Sequence, residues 1–237
     1  MKLKIAAAVL ALGLAGPATS ALAQSPPADA MTDASMKREE VVAFIGLKPG
    51  DKVADVVAGR FTRALAAAVG PNGKVYAVEP AEVVKAHPEV VPMMQAAAGA
   101  SSGVIELVQA PVDAMGLKPN SLDAVFIRQN YHDLYDKFMG PADVPGFNKQ
   151  VYAALKPGGV YVILDHSAEA GAPLSVTESI HRIDEAQVRK DVLAAGFKLD
   201  GESRAFANPA DDRKTMVFVP AIRGKTDQFL LRFRKPE

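Results

Sequence analysis

The chain has 237 residues, and 49% of them are hydrophobic, which is enough for one sizeable core and argues against a second full domain. Its 27 basic and 27 acidic residues balance, so it offers no electrostatic footprint for a nucleic acid or an anionic membrane. The absence of cysteine excludes disulfides, a lipid-modified cysteine and thiolate catalysis. We therefore expect a small-molecule or protein partner, while composition makes no prediction about self-association.

Residues 1–23 have the pattern of a secretory signal peptide. Lys2 and Lys4 precede an apolar run of 12 residues, and a small-residue "ALA" ends at Ala23. The run is shorter than the roughly 20 residues that span a bilayer. We therefore expect cleavage near Ala23 and a periplasmic or secreted product without a membrane anchor. Residues 24–34 have the composition of a linker, and 35–237 are predicted to form one domain.

The domain alternates between predicted helices and strands. A short helix over residues 35–44 leads to the strand "KVADVV" and to the helix "FTRALAAAVG", in which Phe61, Leu65 and Val69 recur every four residues. A helical region follows the next strand, over residues 81–98. The remaining predicted strands are "VYAVE", "VIELV", "DAVFI" and "VYVILD", and the helix "FNKQVYAALK" and the turn "PGG" precede the last of them.

The C-terminal third begins with a helix from Asp184 to Gly196, with Gln187 placed for a capping box. Two strands, "FKLDGESRAF" and "QFLLRFR", end the chain, and the long connection between them over residues 208–227 is predicted to be a lid over the histidine-containing loops or a solvated face held by ion pairs. Strands separated by helices imply parallel pairing. We predict a doubly wound α/β fold with a mostly parallel seven-stranded sheet and one reversed strand.

The strings "VADVVAG", "VYAVEP" and "LKPGGVYVILD", with the final strand pair, resemble the class I S-adenosylmethionine (SAM)-dependent methyltransferase fold, which is Rossmann-like. Longer strings, including "NYHDLY", "LDHSAEAG" and "HRIDEAQVRKDVLAAGF", look like an exported bacterial group described as predicted methyltransferases. This resemblance covers nearly all of the domain. It implies SAM as cofactor and transfer of a methyl group to a small molecule.

The resemblance also implies which residues hold the cofactor. Asp55 ends the first strand, and Glu79 ends the second, where it would accept hydrogen bonds from the ribose. The predicted cofactor-binding set is Asp55, Ala58, Gly59, Arg60, Glu79 and Pro80.

Two positions depart from the family pattern. Val57 stands where the first glycine of a GxGxG-like turn is usual, and the turn is about two residues short. Glycine there supplies a positive φ and leaves room for a ligand, and we expect Val57 to supply neither. Pro111 stands where an acidic residue usually faces the adenine, and proline has no side-chain acceptor. SAM is also made in the cytoplasm, so an exported chain would be separated from its cofactor.

A second candidate site lies in the loops after the later strands. His132, His166 and His181 all fall in loops at the predicted carboxyl edge of the sheet, where ligands bind in doubly wound folds. Histidines beside carboxylates can move protons. The predicted catalytic set is His132, His166, Asp133, Asn130 and Tyr131.

Three interpretations of these loops remain open. The residues act on the acceptor of a methyl transfer, or they serve a cofactor-independent lyase, isomerase or hydrolase on the same fold, or they line the site of a non-catalytic binding protein. A metal set of His132, His166 and Asp165 is conceivable, but no HxH or HExxH spacing is present, so we predict no metal site. Each residue could also simply cap a helix or bind loop backbone.

Overall fold

A computed structural model describes residues 33–237. The predicted signal peptide and nearly all of the predicted linker lie outside these residues. Within residues 33–237, no helix has both the length and the apolar character that crossing a membrane requires.

Seven strands form one sheet in the order β3-β2-β1-β4-β5-β7-β6. All neighbouring pairs are parallel except those made by β7, which runs antiparallel to β5 and to β6. The predicted mostly parallel, seven-stranded sheet with one reversed strand is therefore confirmed. The strands are β1 Lys52–Val56, β2 Lys74–Pro80, β3 Ile105–Ala110, β4 Leu122–Arg128, β5 Leu155–His166, β6 Lys198–Ser203 and β7 Gln228–Arg234.

Helices cover both faces of this sheet. They are α1 Arg38–Ile45, α2 Thr62–Val69, α3 Ala81–Ala86, α4 Val90–Gly99, α5 Val144–Ala154, α6 Val176–Ile180 and α7 Glu185–Ala194. One apolar core lies on the side of α1, α2 and α4, and a second lies on the side of α5 and α7. Because side chains alternate along a strand, each central strand contributes to both cores.

Local sequence explains where several helices begin and end. Phe61, which precedes α2, and Leu65 and Val69 within it are buried on one stripe, and Gly70 ends the helix with a φ of 64° that a residue with a side chain rarely adopts. The Asp143 carboxylate caps α5 by accepting a hydrogen bond from the Gly146 N–H at 3.0 Å.

Three local predictions were wrong. Asp184 caps α7 through Ala186 N, as expected, but Gln187 does not close a capping box, because its amide donates to Asp191 instead, at 2.7 Å. The "PGG" segment is part of β5, which starts at Leu155 and contains a register shift opposite β4. The short helix α6 has no counterpart among the predicted elements.

Candidate functional site

The first candidate site lies at the carboxyl ends of β1, β2 and β4. The strand order reverses between β1 and β4, which creates the crevice in which doubly wound folds bind their ligands. The residues two positions before Asp55, Glu79 and Arg128 all belong to the apolar core on the α2 side of the sheet. By strand alternation these three charged side chains therefore share one face of the sheet.

Asp55 is held by the residue that begins α2. The Thr62 hydroxyl donates to Asp55 Oδ2 at 2.6 Å, and it accepts a hydrogen bond from the Gly59 N–H at 2.9 Å. Burial raises the pKa of Asp55 to about 7, against the opposing effect of the hydrogen bonds from Thr62 and Gly59. Asp55 thus changes its charge near neutral pH. Thr62 was not predicted as a site residue, and its place at the start of the helix was the available signal.

The loop after β1 keeps its left-handed turn without the glycine. Val57 has a φ of 54°, so the expectation that valine would not supply a positive φ was wrong. A β-branched residue in this region is strained, at a cost of about 1–3 kcal/mol. The Val57 side chain lines the cleft beside Asp55 and Gly59, as the sequence predicted, and takes up room that glycine would leave.

Glu79 is the most unusual residue of this site. It is fully buried at the end of β2, and neither carboxylate oxygen has a hydrogen-bond partner among the described residues. Burial, and secondarily the charge of Asp55, raise the pKa of Glu79 to about 8. A buried carboxylate without partners costs stability unless a ligand supplies hydrogen bonds.

A cleft of about 210 Å³ lies beside these residues. Of the predicted cofactor-binding residues, it is lined by Asp55, Ala58, Gly59 and Arg60, whereas Glu79 and Pro80 lie next to it in β2. Arg128 also lines it, and burial, followed by the charge of Arg60, lowers the pKa of the Arg128 guanidinium to about 9. The wall of the cleft therefore contains one buried acid, Asp55, and the guanidinium of Arg128, and a second buried acid, Glu79, lies beside it.

Pro111, at the expected adenine position, opens a short 3-10 turn. The next backbone group, Val112 N–H, donates to Glu82 Oε2 at 3.1 Å. Pro111 itself supplies no side-chain acceptor, as the sequence indicated.

The second candidate site is centred on His132, directly after β4. His132 Nδ1 lies 2.8 Å from Asp165 Oδ1, and the backbone N–H of His132 donates to Asp165 Oδ2 at 2.9 Å. His132 Nε2 lies 3.1 Å from Asp133 Oδ1 and 3.4 Å from His181 Nδ1. Burial lowers the pKa of His132, but the charges of Asp165 and Asp133 outweigh it and raise the pKa well above its usual value. His132 therefore lies between two carboxylates that favour its protonated form.

The remaining predicted catalytic residues occupy three different environments. His166 is buried, its Nδ1 lies 2.8 Å from the Thr226 hydroxyl, and burial lowers its pKa to about 3. Tyr131 is fully buried in the core, where its hydroxyl accepts a hydrogen bond from Asn148. Asn130 lines the cofactor-side cleft and also donates to Asp133 Oδ2 at 2.7 Å.

The three histidines do converge, as the sequence predicted. The ring of His132 lies 5.5 Å from that of His181 and 6.3 Å from that of His166, centre to centre. Asn130 connects this cluster to the cleft, so the two candidate sites are neighbours along one edge of the sheet.

The long connection between β6 and β7 packs on the same edge. Val217 N–H donates to Ile180 O, and the ring of Phe218 lies 4.9 Å from that of His181. The alternative of a solvated face was wrong for Asp211, which pairs with Arg182 at 2.7 Å with both side chains almost completely buried. The connection is therefore anchored to the loop that carries His181.

The fold and the crevice at its strand-order reversal define a class I methyltransferase-like α/β protein. Residues 56–163 match the model of a family described as a methyltransferase domain. No curated protein matches the chain.

Solved structures show the same fold at low sequence identity. A SAM-dependent methyltransferase from Aquifex aeolicus is 21% identical, with a TM-score of 0.59, over 87% of this chain and 94% of the other. The [4+2]-cyclase SpnF is 17% identical, with a TM-score of 0.61, over 86% and 82% of the two chains. A protein from Bordetella parapertussis, described as a possible exported protein, is 21% identical, with a TM-score of 0.53, over 85% and 68%.

Proposed function

We propose that the chain binds SAM in the cleft after β1 and methylates a small molecule held at the histidine cluster. The observation that carries this proposal is Glu79, a fully buried carboxylate whose two oxygens have no partner among the described residues. Two adjacent hydroxyl groups, such as those of a ribose, would satisfy both oxygens at once.

The residues of the cleft fit the rest of the cofactor. Asp55, with a pKa of about 7, would be held ionised by a cationic ligand, and SAM carries an ammonium and a sulfonium group. Backbone N–H groups at the start of α2 favour a carboxylate. When bound, SAM supplies an electrophilic methyl group. The side chains of Asp55, Arg60 and Glu79 and the backbone of Gly59 would orient it, and Val57 restricts the room that is left.

Asn130 supports placing the acceptor at the histidine cluster. It lines the cleft and donates to Asp133, so a molecule bound against Asn130 lies next to both sites. Methyl transfer depends mainly on proximity and alignment. Phe218 and the neighbouring part of the β6–β7 connection would then exclude water from this edge and select the acceptor by shape.

One observation favours a second candidate function. The buried Asp165–His132–Asp133 arrangement places an imidazole between two carboxylates, which is an acid/base geometry that needs no cofactor. A lyase, isomerase or hydrolase on this fold would use it, with His132 as proton donor. SpnF, described as a cyclase, shares the fold.

Export is part of the proposal and is supported by the signal-like residues 1–23. N-terminal sequencing of the protein recovered from the periplasm should begin at Gln24. A sequence beginning at Met1, Met31 or Met36 would instead support a cytoplasmic protein.

Calorimetric titration of the purified chain with SAM tests the proposed cofactor. We expect saturable binding of one SAM per chain, and S-adenosylhomocysteine should compete, because it presents the same ribose to Glu79. Absence of heat at millimolar SAM would remove methyl transfer and leave the acid/base candidate.

A further inference from the structure

Three side-chain atoms of the histidine cluster lie at the corners of a small triangle. His132 Nε2 is 3.4 Å from His181 Nδ1 and 3.1 Å from Asp133 Oδ1, and His181 Nδ1 is 3.8 Å from Asp133 Oδ1. In a tetrahedral site with ligands at about 2.0–2.2 Å from the metal, neighbouring ligand atoms are about 3.3–3.6 Å apart. The triangle therefore has the size of one face of such a site.

The second nitrogen of His132 is arranged as in metal-binding histidines. Its Nδ1 lies 2.8 Å from Asp165 Oδ1, which leaves Nε2 directed at His181 and Asp133. Asp165 is itself fixed, because both its oxygens accept backbone N–H groups, from His132 and His166. A carboxylate that accepts a hydrogen bond from one ring nitrogen of a histidine orients the imidazole. It also makes the other ring nitrogen a better metal ligand.

Neighbouring side chains also hold the other two groups of the triangle, Asp133 and His181, in place. Asp133 Oδ2 is occupied by the Asn130 amide, so that Oδ1 is the oxygen that faces the histidines. The His181 ring is supported by Phe218, and its side chain is 30% exposed, so the cluster reaches solvent at His181. A fourth, exchangeable ligand would enter from this side.

The buried carboxylates around the histidine cluster favour a bound cation. Asp133, Asp136 and Asp165 surround the two histidines, and all three carboxylates are buried. Asp136 Oδ1 has no hydrogen-bond partner among the described residues, and its charge interacts with Asp133, His132 and His181. Buried carboxylates grouped in this way are stabilised by a bound cation.

We propose that His132 Nε2, His181 Nδ1 and Asp133 Oδ1 bind one divalent transition-metal ion of the zinc type, with the fourth position open to water or to an oxygen of a substrate. Two imidazoles and one carboxylate suit such an ion better than magnesium or calcium, which prefer oxygen ligands. The set differs from the His132, His166 and Asp165 combination that the sequence suggested, because His166 binds Thr226 and Asp165 binds His132 Nδ1. That this ion faces the methyl acceptor rests on the proposed function.

The test measures Zn²⁺ binding to the full chain, prepared without a polyhistidine tag and stripped of metal. Calorimetry and metal analysis after dialysis should give one Zn²⁺ per chain, with Mg²⁺ unable to compete. His181→Ala should abolish stoichiometric binding, since its side chain is a ligand on a partly exposed loop. Asp165→Asn should weaken Zn²⁺ affinity about 10–100-fold, as loss of an orienting carboxylate does. His87→Ala, which removes an exposed histidine outside the cluster, should change nothing.

Circular dichroism of each variant checks that it is folded, and X-ray absorption of the zinc-loaded chain should show two imidazole ligands. Wild-type protein that retains no zinc, or zinc binding that His181→Ala leaves unchanged, would overturn the metal site and leave a metal-free hydrogen-bonded cluster. Because the titration uses Zn²⁺ alone, its outcome is independent of SAM binding. The SAM titration likewise tests the proposed function without zinc.

Discussion

Replacing Glu79 with glutamine should make the protein more stable above neutral pH and a weaker binder of SAM. Glutamine has nearly the same shape but cannot ionise. Below pH 4.5 both the folded and the unfolded chain hold the Glu79 proton. Between pH 4.5 and about 8 only the unfolded chain loses it, so the free energy of unfolding falls as pH rises. Over this whole window the loss amounts to at most roughly 5 kcal/mol.

Urea unfolding of the wild type and Glu79→Gln, followed by circular dichroism at pH 5, 6, 7 and 8, measures this effect. The two proteins should have similar free energies of unfolding at pH 5, and the variant should be several kcal/mol more stable at pH 8. Glu106→Gln is the matched control, because Glu106 lies on the neighbouring strand β3 with its side chain 52% exposed, and no such gain is expected.

The same variant should bind SAM about 10–100-fold more weakly, since a hydrogen bond to a charged acceptor contributes about 1.5–3 kcal/mol. If the variant gains stability and loses affinity for SAM, Glu79 is a residue that is retained for ligand binding and not for folding. A Glu79→Gln protein that is equally destabilised at pH 5 and pH 8 would show that Glu79 has a structural partner and is not kept for a ligand.

Two further predictions concern the loop after β1 and the β6–β7 connection. Val57→Gly should bind SAM several-fold more tightly with little change in Tm, because relief of the strained φ offsets the lost packing; weaker binding would contradict this. Asp211→Ala leaves the buried Arg182 without its partner and should cost about 3–5 kcal/mol, or about 10 °C in Tm. Glu169→Ala, which removes an exposed pair with Lys214, should cost less than about 1 kcal/mol, and equal losses would argue against a buried pair.

The sequence was sufficient for the sheet because its strands are short apolar runs separated by helices. The same local signals located Asp55 and Glu79, since both end such runs. What could not be predicted depends on long-range packing. His181 reaches His132 from 49 positions away only because the loop after β5 folds back across the sheet edge. The burial of Arg182 with Asp211 depends on that same fold-back, so a charged pair looked like a solvated surface.

The positive φ of Val57 could not be predicted from the sequence for a different reason. Intrinsic preference opposes a positive φ for valine, and only the surrounding loop, with Thr62 linking Asp55 to Gly59, makes the conformation necessary. The failed capping box at Gln187 has a local origin, because Asp191, four residues further along the same helix, competes for its amide.

The reversed strand β7 has a consequence for how this scaffold can change. Because β7 is antiparallel to both of its neighbours, the connection from β6 leaves and returns at the carboxyl edge of the sheet, with Gln228 paired opposite His166. Insertions or exchanges between Asp211 and Thr226 would therefore remodel the acceptor side alone. The strands that carry Asp55 and Glu79 lie on the far half of the sheet and would be unaffected, so acceptor range and cofactor retention can evolve, or be engineered, as separate modules.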